Sequence, residues 1–283
     1  MATFHVLTGP DATVGHVNVR KIHFEDIKHA LLKGFDDFTA MPTHLAFLGL
    51  IYPLFGIGLG AVTFTNNALP LLFPLVSGFA LVGPVAAIGL YELSRRRELG
   101  EDTSLVHVFD VLRSPSLPAI LALGVVLMVI LVVWLMAAQA LYQSLYGPNA
   151  PDSYRAFLGE VLTTPRGWSM IILGHIIGFL FAAAVFCISV VSFPLLLDRD
   201  VGVACAVQTS IRAVMTNPGP MALWAIIIAA LLIVGSAPLL VGLALVMPIL
   251  GHASWHLYRR IVDAPEPVNL PPASRRAEAP GFM

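Results

Sequence analysis

Two histidines near the end of the last apolar stretch form the residue pair best placed for chemistry. His252 and His256 are four residues apart, so on a helix they share one face, a spacing that can chelate a metal ion or hold a haem. His44 and Glu92 stand at the ends of other apolar stretches and are predicted to reach the same side. We take these four residues as the candidate polar or ligand site.

The histidines also have a purely structural interpretation. His256 with Trp255, Tyr258 and Arg259 fits an interfacial belt, and His252 fits a hydrogen bond to a neighbouring helix. No Cys or carboxylate joins the pair at ligand spacing, which favours this interpretation. The sequence therefore predicts neither a metal nor a cofactor.

A second polar group is predicted at the ends of two helices. Its members are Asp198, Arg199, Arg95 and Arg96. Charges at helix ends of this kind usually serve only to orient the helices in a membrane.

The composition excludes an ordinary soluble domain. The chain has 283 residues, of which 57% are hydrophobic and 12% charged, whereas soluble domains have about 25% charged residues. A net charge of −1 gives no basic field for nucleic acid. No Ser-His-Asp set, phosphate-binding loop or dinucleotide fingerprint stands in a plausible context, so we expect no enzyme.

The elements that position these residues are predicted to be six transmembrane helices. Uncharged segments of membrane-spanning length run over about 43–64, 69–91, 117–142, 168–197 and 218–258. The last is long enough for two helices, with a turn predicted at Gly235–Pro238. Fourteen of the sixteen Lys and Arg residues then fall on one side, which predicts that both termini are cytoplasmic.

The segments between these spans show helical periodicity of their own. Apolar residues recur at helical spacing before Pro42, Pro115, Pro165 and Pro218, which predicts amphipathic interfacial helices that end just before each proline. Pro84 and Pro248 precede Arg pairs by the same distance, so the first and last hairpins are predicted to be repeats. The predicted division is a flexible segment 1–20, a membrane domain 21–262 and a disordered cytoplasmic tail 263–283.

Five short motifs in a fixed order carry a resemblance to a known family. They are Gly34-Phe35-Asp36-Asp37, Gly78 to Pro84, Gly89 to Arg96, Ser192 to Arg199 and Gly251 to Arg260. Over about residues 20–262 the chain resembles the DUF2189 family of bacterial integral membrane proteins of unknown function. The resemblance implies an all-helical fold in the bacterial cytoplasmic (inner) membrane, and no reaction.

Some members of that family carry the label "cytochrome c oxidase subunit I". Of the nine histidines only His44, His175, His252 and His256 lie at or in predicted spans. These are too few for the haem and copper ligands of an oxidase catalytic subunit, so that role is not expected.

We expect a non-enzymatic scaffold or assembly factor for a membrane complex. Its expected partners are membrane lipids together with another membrane protein complex or a second copy of the chain. Two alternatives stay open: a transporter or lipid-handling protein, and a haem or copper binder accessory to a respiratory oxidase.

Overall fold

The computed structural model describes residues 17–43, 83–149, 153–237 and 242–263, with single positions at Val6, Leu71, Pro74, Leu75 and Gly78. The described part is helical: α1 (Phe24–Ala40), α2 (Gly83–Ala86), α3 (Ile88–Leu99), a 3₁₀-helix (Leu105–Arg113), α4 (Leu117–Tyr146), α5 (Tyr154–Thr163), α6 (Pro165–Ser189), α7 (Ser192–Asp198), α8 (Gly202–Thr216), α9 (Pro218–Ser236) and α10 (Leu243–Ile261).

Three stretches of the described chain are long and apolar enough to cross a membrane. They are Leu117–Tyr146, Pro165–Asp198 and Pro218–Ser236, with mean hydropathies of 3.1, 2.6 and 2.1. They confirm helices at the predicted third, fourth and fifth spans. The predicted first span lies outside the described residues except for Thr43, and of the second only the last part, residues 83–91, is described continuously.

The predicted sixth span is a helix, but its composition differs from that of the other three. Helix α10 has 19 residues and is not among the candidate spans, because polar and basic side chains occupy its second half. Helix α9 ends at Ser236 and α10 begins at Leu243, so the predicted break between them is observed. The six-span count itself stays a prediction.

Prolines stand at the beginnings of the three apolar helices, although Pro115 itself lies before α4, which starts at Leu117. Pro118, Pro165 and Pro218 each lie in the first helical turn, where the missing N–H would have no helical partner anyway. The hydroxyl of Thr164 adds a cap by accepting a hydrogen bond from the Gly167 N–H at 3.0 Å.

Helix α1 shows two apolar faces and one polar face. Its buried face holds Ile27, Ala30, Gly34 and Asp37, and α10 packs against it. A second apolar stripe stays exposed, including Phe35, which is 53% accessible. An exposed apolar stripe beside a polar face is typical of a helix that lies in the membrane interface.

The segment before Pro115 is helical, but it is a 3₁₀-helix rather than the α-helix its periodicity indicates. Side chains three residues apart align on such a helix. Val106, Phe109 and Leu112 therefore form one exposed line, with 65%, 67% and 63% of their surfaces accessible. Span α4 begins only five residues after Leu112, which holds this line close to the membrane.

Both ring nitrogens of His107 contact carboxylates at the start of the 3₁₀-helix. Nδ1 lies 2.6 Å from Asp110 and Nε2 lies 3.0 Å from Asp102. Each carboxylate can only accept, so the charged imidazolium suits both contacts. The hydrogen bonds to Asp110 and Asp102 raise the pKa of His107 above 6.5.

We expect the 3₁₀-helix to loosen as the pH rises. The folded-state pKa is above the unfolded one, so the stabilisation is present below about pH 6.5 and is lost as the pH passes the folded pKa. Hydrogen exchange of residues 102–113 should therefore be faster at about pH 9 than at about pH 6 after correction for the intrinsic rate. His107→Gln should remove the difference, and an equal effect in that variant would contradict the explanation.

The two ends of the described domain are joined. Val19 and Val262 form an antiparallel bridge, and the Arg20 N–H donates to the Ile261 carbonyl at 2.8 Å. Asn217, at the junction of α8 and α9, accepts from the Ile22 N–H at 2.8 Å and donates to the Arg20 carbonyl at 3.0 Å. The N-terminal segment is thus held against the ends of α9 and α10.

Candidate functional site

Helix α10 directs its two histidines toward α1 and α3. The ring of His252 is fully buried, with Nδ1 2.7 Å from the Ser94 hydroxyl and Nε2 3.3 Å from the Thr43 hydroxyl. His256, one turn later, places Nε2 2.8 Å from the carboxylate of Asp37. The predicted pair therefore lies on one helix face, and each ring contacts a different helix of the cluster.

Asp37 is the centre of this polar cluster, which we define as Asp37, Ser94, Arg97, His252 and His256. Its side chain is only 4% exposed. Oδ2 accepts from the Ser94 hydroxyl at 2.6 Å and from His256, and Oδ1 accepts from Nη1 of Arg97 at 2.5 Å. One buried carboxylate on α1 thus joins α3 and α10.

The number of protons that each group of the cluster can donate determines the direction of these hydrogen bonds. An ionised Asp37 can only accept, so the single hydroxyl proton of Ser94 points to it. Ser94 then accepts from His252, which assigns the His252 proton to Nδ1 and leaves Nε2 to accept from Thr43. The serine lies between histidine and aspartate, whereas a hydrolase triad has the histidine in the middle.

The electrostatics of Asp37 match this geometry. Burial by itself raises the pKa of Asp37, but the hydrogen bonds from His256, Ser94 and Arg97 outweigh burial and hold the pKa below 3.8. The same contacts with Asp37, together with Asp36, raise the pKa of Arg97 against the effect of its own burial. The pair therefore stays ionised at neutral pH.

Two glycines allow the three helices to come close enough for these contacts. A Cβ on Gly34 of α1 would lie 2.5 Å from the Ala253 nitrogen and 2.7 Å from its Cα, and a Cβ on Gly251 would lie 2.3 Å from a Leu90 methyl. Contacts below 3.0 Å are not found for real Cβ atoms. Gly34 thus permits the approach of α1 to α10, and Gly251 that of α10 to α3.

Glu92 lies near the cluster but pairs with its own helix. Its side chain is 4% exposed and accepts two hydrogen bonds of 2.8 Å from Arg95, with Arg96 at 3.8 Å. A two-pronged contact of this kind is among the stronger ion pairs in proteins. The described contacts of Glu92 are therefore to Arg95 and Arg96.

The predicted helix-end charges form a second network around α10. The Tyr258 hydroxyl donates to Asp198 at 2.6 Å, and Arg199 lies 3.3 Å from the same carboxylate. Glu98 accepts from the Trp255 ring at 3.1 Å and from Arg259 at 3.2 Å. Arg95 and Arg96 pair with Glu92 rather than with Asp198, so the predicted residues divide between two hydrogen-bond networks. Asp198 still lies close enough to contribute, after Glu92, to the raised pKa of Arg95.

The aromatic residues of α10 do not form an interfacial belt. Trp255 and Tyr258 are each 1% exposed and belong to the largest fully buried side chains, together with Phe193 of α7 and Leu93 of α3. The side chains from α10 and α7 belong to one buried core that also includes Trp224 of α9 and Leu127 of α4. The predicted hydrogen bond of His252 to a neighbouring helix is observed.

The structure brings His252 and His256 together around a residue outside the predicted site. His44 lies outside the described residues, and Glu92 does not contact the histidines through any described bond. Asp37, Ser94 and Arg97 complete the cluster, and Thr43 contacts His252 at its edge. Asp37 and Ser94 stand within the quoted motifs, but nothing in their local spacing shows that they meet.

Asp37, His252 and His256 lie close together but do not form a set of metal ligands. Across residues 17–43, 83–149, 153–237 and 242–263, no set of three or more His, Cys, Asp and Glu side chains could hold a metal ion. Both cysteines are free. The polar groups of the cluster form hydrogen bonds with one another.

Three apolar helices of spanning length indicate a helical integral membrane protein. Residues 71–198 match the family model described as "Predicted integral membrane protein (DUF2189)", which confirms the predicted resemblance over that stretch. The motifs at 34–37 and 251–260 lie outside the matched residues. No curated protein and no solved structure matches the chain.

Proposed function

We propose that the protein is a non-enzymatic scaffold or assembly factor for a membrane complex in the bacterial cytoplasmic membrane. One observation carries the proposal: the polar groups of the cluster are turned toward one another. Ser94 and His252 are fully buried and Asp37 nearly so, so these groups hold three helices in place. A rigid frame with apolar outer helices suits binding to other membrane proteins.

Six spans with both termini in the cytoplasm belong to the same proposal. The bridge between Val19 and Val262 supports it, because segments that pair outside the bilayer lie on the same side. The number of crossings between them is then even. The distribution of Lys and Arg supports a cytoplasmic position for both termini. The predicted repeat of the first and last hairpins accounts for the matching order of their proline and arginine motifs.

Labelling of single cysteines tests this topology. In a variant with Cys187 and Cys205 replaced, we expect a cysteine at Asn149 to react with a membrane-impermeant maleimide in intact spheroplasts. A cysteine at Gly100 should react only after permeabilisation, because we place the loop after α3 inside. Labelling of both, or of position 100 alone, in intact cells would contradict the proposed orientation.

Site-specific cross-linking tests the scaffold role. Photoreactive residues at Phe179 of α6, Met215 of α8 and Ile233 of α9 sample three outward faces, since these side chains are 71%, 75% and 72% exposed. We expect at least one position to yield a discrete protein adduct in cells. The same adduct should appear as a stoichiometric complex in mild detergent.

A buried position supplies the matched control. A photoreactive residue that replaces Tyr142, 5% exposed, should give no protein adduct. No adduct at the three outward positions, with purification as a single 30.3 kDa chain, would overturn the scaffold proposal.

A further inference from the structure

An apolar groove lies where helix α8 packs across α4 and α6. Its volume is about 510 Å³, within the range of about 300–1,000 Å³ that is usual for small-molecule sites. Leu123 of α4, Ile188 of α6 and Val207 of α8 line it. We propose that this groove is a binding site for an acyl chain of a membrane phospholipid.

The depth of the groove supports this occupant. Leu123 and Val126 lie six and nine residues after the first residue of α4, which places them about 9 and 14 Å along the helix. We place this depth inside the hydrocarbon layer, because α4 has the highest mean hydropathy of the candidate spans, 3.1, and carries no charged residue along its length. Acyl chains are the apolar molecules present at that depth.

The opening of the groove is continuous with a lipid-facing surface. Val126 on its α4 side is 44% exposed, and Val129 and Val133, which follow along the same helix, are 56% and 48% exposed. On the α8 side, Ile211 is 41% exposed. A chain in the bilayer can therefore enter sideways without crossing a polar surface, which a soluble ligand could not do.

One polar side chain completes the site. Gln208 is exposed and lines the groove beside apolar residues of α8. Its amide can donate hydrogen bonds to an oxygen acceptor, and a glycerolipid carries ester carbonyls where its chains begin. The polar buried clusters lie on α1, α3 and α10, so this site is separate from the one around Asp37.

Photolabelling in nanodiscs tests the proposal. The probe is a phosphatidylcholine with a diazirine on one acyl chain. We expect labelling of peptides containing 123–126 and 203–211 to exceed labelling of the exposed α6 face around Phe179 by about tenfold. Ala204→Phe, which fills the groove from α8, should abolish the excess.

Two further variants keep the test decisive. Met215→Phe changes a 75% exposed side chain outside the groove and should leave the excess intact. Val126→Phe fills the groove from α4, in case Ala204→Phe fails to fold. Three outcomes would overturn the proposal. The first is labelling in proportion to exposed apolar area, and the second is an excess of labelling that survives both filling variants. The third is cross-linking between two copies of the chain at the groove. A negative result here leaves the scaffold proposal standing, because the adducts that test it are independent of this probe.

Discussion

Replacing Asp37 with leucine is expected to lower the free energy of unfolding by about 2–4 kcal/mol. Removing one partner from a buried ion pair costs about 3–5 kcal/mol, because the remaining charge stays buried without compensation. Arg97 keeps 32% of its side chain in contact with solvent, so we reduce that figure. Ser94 and His256 lose an acceptor at the same time, which adds to the cost.

Denaturation in detergent micelles, followed by tryptophan fluorescence, measures this effect. Trp255 is suited to report it, because it is buried in α10 and donates to Glu98. Asp36→Asn is the matched control, since Asp36 also contacts Arg97 but is 57% exposed, and should change stability by less than about 1 kcal/mol. Equal effects of the two substitutions would contradict the central role of Asp37.

The pH dependence gives the same prediction a second readout. The pKa of Asp37 is lowered on folding, so its contribution is present above the unfolded pKa, near 4, and is lost as the pH falls through the folded value. We expect the stability difference between wild type and Asp37→Asn to shrink as the pH falls below about 4, where Asp37 takes up a proton. A difference that stays unchanged or grows from about pH 4 to about pH 2 would exclude this account.

Gly34→Ala is expected to cost about 3 kcal/mol, the second large effect. Overpacking a close contact costs about 1–3 kcal/mol and occasionally more. Here the added Cβ would lie 2.5 Å from the Ala253 nitrogen and 2.7 Å from its Cα. These backbone atoms cannot rotate away, so α1 must shift off α10 and lengthen the contacts of Asp37.

The neighbouring residue and a distant glycine provide controls for Gly34. Combining Gly34→Ala with Ala253→Gly removes the clash with the Ala253 Cβ at 2.6 Å but not the clashes with its backbone, so we expect only partial recovery. Gly159→Ala in α5 meets nothing within 4 Å and should stabilise the protein by about 0.5–1 kcal/mol. Full recovery of stability in the double variant would show that the strain comes from the Ala253 side chain alone, and would contradict the role given to its backbone.

The spans were predictable because each is a local property of the chain. Hydrocarbon leaves backbone groups no partner but one another, so an uncharged stretch of sufficient length must be a helix. The predicted bounds of about 117–142 and 168–197 thus agree with α4 and with α6 and α7. The turn near Gly235 was predictable for the same reason, because the glycine and proline that interrupt the apolar stretch are a local feature of the sequence.

The type of the short helix before Pro115 was not predictable from periodicity. Apolar residues at 105, 108, 109 and 112 fit a period of 3.6 nearly as well as one of 3. In the 3₁₀-helix, the two ring nitrogens of His107 contact the carboxylates of Asp102 and Asp110. Those contacts depend on side-chain positions that a pattern of apolar residues does not encode.

What the sequence by itself determined is the class of protein, the places of the described spans and the residues of the motifs. Hydropathy and proline positions encode these locally. Only the tertiary structure decided that Asp37, 57 residues before Ser94 and 219 before His256, stands between them. Polar residues distant in sequence meet because Gly34 and Gly251 allow α1, α10 and α3 to approach. That approach is a property of packing, which no single helix contains.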